Sequence, residues 1–193
     1  MDYFNENIRY LLCKKDEDRS RAVDPATRLA SWSKRLETWI GDAGRSRILL
    51  FGGPPSDREI ARLTEISGRD VETLRNGRLA DECSILTENI SFLFATVEHG
   101  QMSAVAERLG VNQSTIQRWR SGSKPAANKQ SKIAEEFGLP PSIDLNDNTL
   151  FLSLDPISLR QKREWLKARV EELDQHELTE LFPALRRILG EKP

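Results

Sequence analysis

The chain has 193 residues, of which 38% are hydrophobic and 31% are charged, a balance that favours several small helical units over one thick core. No apolar run approaches the roughly 18 residues of a transmembrane helix, and the N-terminus lacks the basic start and cleavage site of a signal peptide. We therefore expect a cytoplasmic protein with no membrane contact. The two cysteines, Cys13 and Cys83, lack the CxxC spacing of a metal or redox site.

Helical periodicity predicts an almost entirely helical N-terminal half. Residues 4–12 form a short amphipathic segment. Asp24 and Pro25 then open a second helix, as N-cap and first helical residue, and Gly41 ends it. The apolar run 48–51 that follows cannot be assigned by periodicity alone.

An internal repeat organises the chain. Residues 5–12 resemble residues 87–94, and EIARLTEISGRDVETLRNG (59–77) aligns without a gap on AVAERLGVNQSTIQRWRSG (104–122). Each copy thus has a leading helix followed by a two-helix unit. The first copy carries an insertion, roughly residues 13–56, between these parts.

The second copy has the pattern of a helix-turn-helix, in which one helix braces another in the major groove of DNA. Ala106 supplies the small side chain between the two helices, and Gly110 tolerates the positive φ of the turn. Val111 and Ile116 lock the second helix, and Asn112 can cap it.

The outward side chains of that second helix suit base edges, because Gln can pair with adenine and Arg with guanine. A second set is placed to touch phosphates. Between residues 101 and 140 there are six basic and three acidic residues, so positive charge is concentrated at the motif. The candidate base-reading residues are Gln113, Ser114, Thr115, Gln117 and Arg118, and the candidate phosphate contacts are Gln101, Ser103, Arg120, Ser121, Lys124 and Lys129.

QMSAVAERLGVNQSTIQRWRSGSKPA resembles the Cro-like (Xre-type) helix-turn-helix of phage repressors and bacterial regulators, most clearly over residues 86–140. The resemblance implies that DNA is read through the start and middle of the second helix. It also implies a bacterial or phage-encoded protein that acts at the nucleoid.

The first copy departs from this pattern. In the ungapped alignment, Ala61, Ile66 and Val71 keep the bracing and locking positions, but Asp70 and Glu72 face outward, where phosphates would repel them. Base reading, scaffolding and dimer contact all stay open for this copy. Its possible DNA contacts are Arg69, Arg75 and Arg78.

Residues 141–156 are predicted to be a linker with one short extended run, Leu150 to Leu154. Asp155-Pro156 then predicts a helix start, and Asp174 with Glu177 predicts a capping box for the last helix of an antiparallel hairpin. The eleven large apolar residues of this hairpin exceed what two helices can hide. Either the rest of the chain or the hairpin of a second subunit must cover them. These residues are Ile157, Trp165, Leu166, Val170, Leu173, Leu178, Leu181, Phe182, Leu185, Ile188 and Leu189.

The sequence therefore predicts an all-α protein of tandem helix-turn-helix units with a C-terminal helical hairpin. The predicted domains are 1–82, 83–140, a linker at 141–156, and 157–193. We expect no enzyme, since His99 and His176 lie in no metal-ligand or triad pattern, and we expect no cofactor and no metal site. The predicted function is sequence-specific binding of double-stranded DNA by a homodimeric transcriptional repressor.

Two alternatives remain at this stage. One is an antitoxin-like or adaptor protein that binds a protein partner through residues 24–51 or 157–190. The other is an architectural or recombination accessory factor that bends DNA. The residues do not distinguish repressor from activator, and they identify no operator or effector.

Overall fold

A computed structural model describes residues 2–15 and 24–190 of the protein. Over those residues the chain forms eleven α-helices and two short 3₁₀ helices, Leu79–Glu82 and Leu150–Leu152, with no β-strand, and this confirms the all-α prediction. The α-helices are α1 (Phe4–Lys15), α2 (Pro25–Ile40), α3 (Ala43–Leu50), α4 (Asp57–Ser67), α5 (Val71–Asn76), α6 (Ile85–Ala95), α7 (Met102–Arg108), α8 (Gln113–Arg120), α9 (Ala127–Glu136), α10 (Leu159–Glu172) and α11 (Gln175–Leu189).

Local signals start and stop α2 where the sequence predicts. Asp24 accepts a hydrogen bond from the Thr27 amide at 2.8 Å, and Pro25 occupies the first helical position. Gly41 ends the helix with a φ of 81°, a conformation that glycine adopts without strain. The unassigned apolar run, residues 48–51, forms the end of α3.

Each of the leading helices, α1 and α6, has a buried asparagine that binds backbone groups of a later segment. In α1, the Asn7 amide donates to the carbonyls of Leu74 and Gly77 at 2.9 and 2.6 Å, and its oxygen accepts from the Leu79 amide at 2.8 Å. Backbone groups that are shielded from water need such partners. Asn7 thereby ties the end of α5 and the first 3₁₀ helix to α1.

Asn89 of α6 repeats this arrangement. Its amide donates to the carbonyls of Leu145 and Asn148 at 2.9 and 2.6 Å, and its oxygen accepts from the Phe151 amide at 3.1 Å. Both asparagines are fully buried. The two leading helices therefore share a buried asparagine that binds backbone groups, but Asn7 holds the end of α5, whereas Asn89 holds the segment that follows α9.

The segment predicted to be a linker, residues 141–156, contributes apolar side chains to the protein core. These are Leu145, Leu150, Phe151, Leu152 and Leu154. The expected extended run is a 3₁₀ helix whose apolar side chains are buried. Arg28 of α2 donates to the carbonyls of Phe151 and Ser153 at 3.1 and 2.8 Å, and its guanidinium lies 4.6 Å from the ring centre of Phe92 on α6. The segment thus joins the insertion to the second copy.

An ion pair fastens the insertion to the first copy. Arg45 of α3 binds Glu59 of α4 through two hydrogen bonds of 2.7 and 2.9 Å. The Arg45 guanidinium, together with the Ser56 amide, lowers the pKa of Glu59 to about 2. In the insertion, Trp32 and Leu36 lie in the core, so they are not part of an open partner surface.

The C-terminal helices leave the main core after the start of α10. Ser158 caps α10 in a capping box with Gln161, whereas the sequence predicted a start at Asp155-Pro156. The predicted capping box of Asp174 and Glu177 at the start of α11 is confirmed. The apolar faces that the predicted hairpin would bury stay open, since Trp165 and Phe182 are 50% and 58% exposed.

No helix in residues 2–15 or 24–190 has both the length and the apolar character needed to cross a membrane.

Candidate nucleic-acid interface

The turn between α7 and α8 has the geometry that its sequence predicts. Gly110 takes a φ of 63°, and the Val111 amide then donates to the carbonyl of Ala106 at 2.9 Å, which reverses the chain. Ala106 is buried between the helices. A larger side chain there would push α8 away from α7.

Helix α8 has one buried face and one exposed face. Ile116 and Trp119 are buried in the same hydrophobic core as Phe94 and Phe137, whose ring centres are 5.4 Å apart in an edge-to-face contact. The Ser91 hydroxyl of α6 donates to the Arg120 carbonyl at 3.1 Å and so anchors the end of α8. These contacts fix which side of α8 faces solvent.

The first turn of α8 is held by its own cap. The Asn112 side-chain oxygen accepts hydrogen bonds from the Thr115 amide and hydroxyl at 3.0 and 2.8 Å, and from the Ser114 hydroxyl at 2.7 Å. The Gln113 amide donates to the Ser103 hydroxyl of α7. Three of the predicted base-reading side chains are thus oriented by neighbours.

Gln117 and Arg118 are the predicted base-reading residues with the greatest freedom to contact DNA. Both side chains are exposed, and the Gln117 side chain makes no hydrogen bond within the described part of the chain. Arg118 donates to the Thr115 hydroxyl at 3.2 Å, which leaves most of its guanidinium donors open. An amide and a guanidinium lie side by side on the exposed face.

The predicted phosphate contacts fall into two groups. Lys124, Ser121 and Gln101 are exposed beside α8 and at the start of α7, and Arg120 is half-buried. The Lys129 ammonium instead lies 2.8 Å from the Leu109 carbonyl and 3.2 Å from that of Gly110. It therefore braces the C-terminal end of α7, a role that the sequence analysis did not predict.

The N-terminus of α9 is a feature that the sequence analysis missed. Its N-cap is Ala126, whose side chain cannot accept a hydrogen bond, so the amides of Ala127 and Asn128 at the start of this ten-residue helix have no side-chain cap. Lys124 lies just before it. The signal was present in the sequence, because Pro-Ala-Ala at residues 125–127 supplies no capping residue.

The first copy has the same turn, but in a different register from the ungapped alignment. Gly68 takes a φ of 67°, as Gly110 does, and Asp70 caps α5 as Asn112 caps α8. Asp70 is therefore a capping residue and not an outward reader. Ala61 and Val71, expected to brace and lock, are exposed, and Leu74 takes the buried position of Ile116.

Two of the three arginines proposed as a second DNA contact, Arg69 and Arg78, bind carboxylates within the chain. Arg69 forms an ion pair with Glu82 at 2.8 Å. Arg78 is 16% exposed and binds Glu6 and Asp147 at 2.9 and 2.6 Å. The exposed outward face of α5 carries Glu72. These charges disfavour contact between the first copy and phosphates.

A comparison with protein families identifies residues 99–143 as a helix-turn-helix of the Cro/C1 type, and this confirms the resemblance. The matched segment contains α7, α8 and α9. No curated protein and no solved structure matches the chain.

Proposed function

We propose that the protein regulates transcription by binding double-stranded DNA sequence-specifically, with α8 in the major groove. The observation that carries this proposal is the exposed pair Gln117 and Arg118 on a helix whose opposite face is locked in the core. The major groove presents a different donor and acceptor pattern for each base pair, and these two side chains can read it bidentately.

Backbone contacts would set the position of α8 on the duplex. Lys124, Ser121 and the uncapped amides of α9 lie on the loop and helix that follow α8. Helix N-termini and lysines attract phosphates, but such contacts carry no sequence information. In this assignment α8 supplies the specificity, and the loop before α9 supplies affinity.

The proposed regulator acts as a homodimeric repressor in the cytoplasm, at the nucleoid. A single small unit makes few base contacts, and a twofold axis doubles them on a palindromic site. Repression requires only that a promoter be occupied. The family match supports DNA binding by α7 to α9, and the dimer and the direction of regulation are our proposal.

A binding-site selection from a random duplex pool tests the proposed function. The wild-type protein should enrich one sequence, and Gln117→Ala and Arg118→Ala should each reduce its preference for that sequence over a scrambled one by about tenfold to a hundredfold, or about 1–3 kcal/mol. Arg58→Ala, an exposed arginine on α4, is the matched control. Failure to enrich any sequence would contradict the proposal.

A further inference from the structure

The C-terminal helices carry most of the exposed large apolar side chains in residues 2–15 and 24–190. No described side chain of α11 is buried, and Ile188 is 79% exposed. The exposed apolar residues of the two helices are Leu159, Trp165, Leu166, Val170, Leu178, Leu181, Phe182 and Ile188.

The spacing on α11 suits contact with another helix. Leu178, Leu181, Leu185 and Ile188 recur at intervals of three and four residues, which places them along one side of the helix. Phe182 lies four residues after Leu178 and three before Leu185, so it belongs to the same apolar seam. A lone helix of this length is only marginally stable in water, even with a capping box. Another surface must cover this stripe for α11 to persist.

Along α10 and α11 the charge changes in opposite directions, from basic to acidic in α10 and from acidic to basic in α11. The first part of α10, residues 159–167, has four basic residues and one acidic residue. Its end carries two acidic residues, Glu171 and Glu172, and one arginine, Arg169, which pairs with Glu172 at 3.1 Å, so the end has a net negative charge. The start of α11, residues 174–181, has three acidic residues and no lysine or arginine, and its end carries Arg186 and Arg187.

This distribution opposes pairing of the two helices within one chain. Only Leu173 and Asp174 connect them, so they can pair only in antiparallel orientation. That orientation sets Arg186 and Arg187 beside the basic part of α10, and like charges repel. A parallel α11 would match opposite charges at both ends, and a parallel α11 must come from another molecule.

We propose that a second copy of this chain covers these faces, with α11 of each copy parallel to α10 of the other about a twofold axis. Each chain carries both complementary faces, so the contact is made twice and the assembly closes as a dimer. This inference rests on the homodimer of the proposed function and names its surface. The ion pairs between α10 and the partner's α11 select this pairing over the antiparallel one.

Light scattering on the full chain without DNA tests the surface. The wild type should be a dimer at micromolar concentrations, and Phe182→Glu should be a monomer because a charge would enter the apolar seam. Phe51→Glu is the matched control, since Phe51 and Phe182 are both 58% exposed. Circular dichroism should show that both variants keep their helices.

A charge exchange tests the pairing. Lys167→Glu on α10 and Glu180→Lys on α11 should each weaken dimerisation by about tenfold, because the twofold axis repeats every lost contact. The double variant should recover most of the wild-type affinity. His176→Ala removes the exposed contact of His176 with Glu180 within α11, 3.4 Å long, and should leave dimerisation unchanged.

The outcomes separate this inference from the proposed function. A wild-type monomer that still selects one DNA sequence would overturn the dimer surface and leave sequence-specific binding in place. A dimer that selects no DNA sequence would overturn sequence-specific binding and leave the dimer surface in place. Loss of the dimer in Phe51→Glu but not in Phe182→Glu would move the interface to α3, and a double variant as weak as the single ones would overturn the parallel pairing.

Discussion

The two helix-turn-helix units share a backbone plan but differ in what they present to solvent. Both turn at a glycine with a φ near 65°, at Gly68 and Gly110, where the values are 67° and 63°. Both place a threonine hydroxyl on the cap, with Thr73 2.9 Å from Asp70 and Thr115 2.8 Å from Asn112. The local chemistry that builds the motif is therefore the same in each unit.

The difference lies in charge. The second unit exposes Gln117 and Arg118, whereas the corresponding positions of α5 are Arg75, which is half-buried, and Asn76. Asp70 puts a carboxylate at the start of α5, where α8 has the neutral Asn112. Hydrogen bonds from Thr73 favour the charged form of Asp70 and lower its pKa. The comparison shows that the turn alone does not make a DNA-binding surface.

The largest effect should come from the two asparagines that anchor the units. Asn7→Ala and Asn89→Ala each leave two carbonyls and one amide without their buried partner, so each should lower the free energy of unfolding by roughly 3 kcal/mol. Urea unfolding, followed by tryptophan fluorescence and circular dichroism, measures the loss.

The same experiment tests whether the two units unfold together or independently. Trp32 lies in the insertion of the first unit and Trp119 in the second, and both belong to one hydrophobic core. Both variants should therefore shift a single cooperative transition. If each variant instead shifted a separate unfolding transition, the two units would fold independently. Asn128→Ala, on the exposed start of α9, should change stability by less than about 0.5 kcal/mol.

A smaller effect should follow loss of the caps, and here the two units should differ in DNA binding. Asn112→Ala should lower stability by about 1 kcal/mol and also reduce base discrimination, because Ser114 and Thr115 lose the oxygen that orients them. Asp70→Ala should change stability but not sequence preference. Thermal unfolding and competition titrations measure the two properties. Equal loss of preference in both variants would mean that the first unit also reads bases.

The sequence predicted what depends on neighbours along the chain. Asp24, Gly110 and Asn112 act through hydrogen bonds or torsions within a few residues, and each has the predicted role. The predicted alignment of the first unit on the second was wrong, because apolar residues spaced by three and four fit two alignments of a helix equally well. Only the caps, seen in three dimensions, decide between them.

Contacts between distant residues left no local signature. Asn89 binds the Leu145 carbonyl and the Phe151 amide, about sixty positions along the chain, so a polar segment that reads as a linker becomes part of the core. Lys129 likewise could be recognised as a basic side chain near the motif. The carbonyl of Leu109, which holds its ammonium, became visible only in the folded chain.

The smallest effect concerns the charges beside each unit, and it compares Lys124 with Arg69. Lys124 is exposed on the loop between α8 and α9, whereas Arg69 pairs with Glu82 at 2.8 Å. Lys124→Ala should therefore lower the slope of log affinity against log salt by roughly 1 and weaken cognate and random DNA alike, since a phosphate contact releases about one counterion. Arg69→Ala should leave the slope unchanged, because its charge is already neutralised within the first unit.

Affinities measured at several salt concentrations on both duplexes give the slopes. If Arg69→Ala lowered the slope as much as Lys124→Ala, the duplex would reach the first unit, and the division between a DNA-binding copy and a structural copy would be wrong.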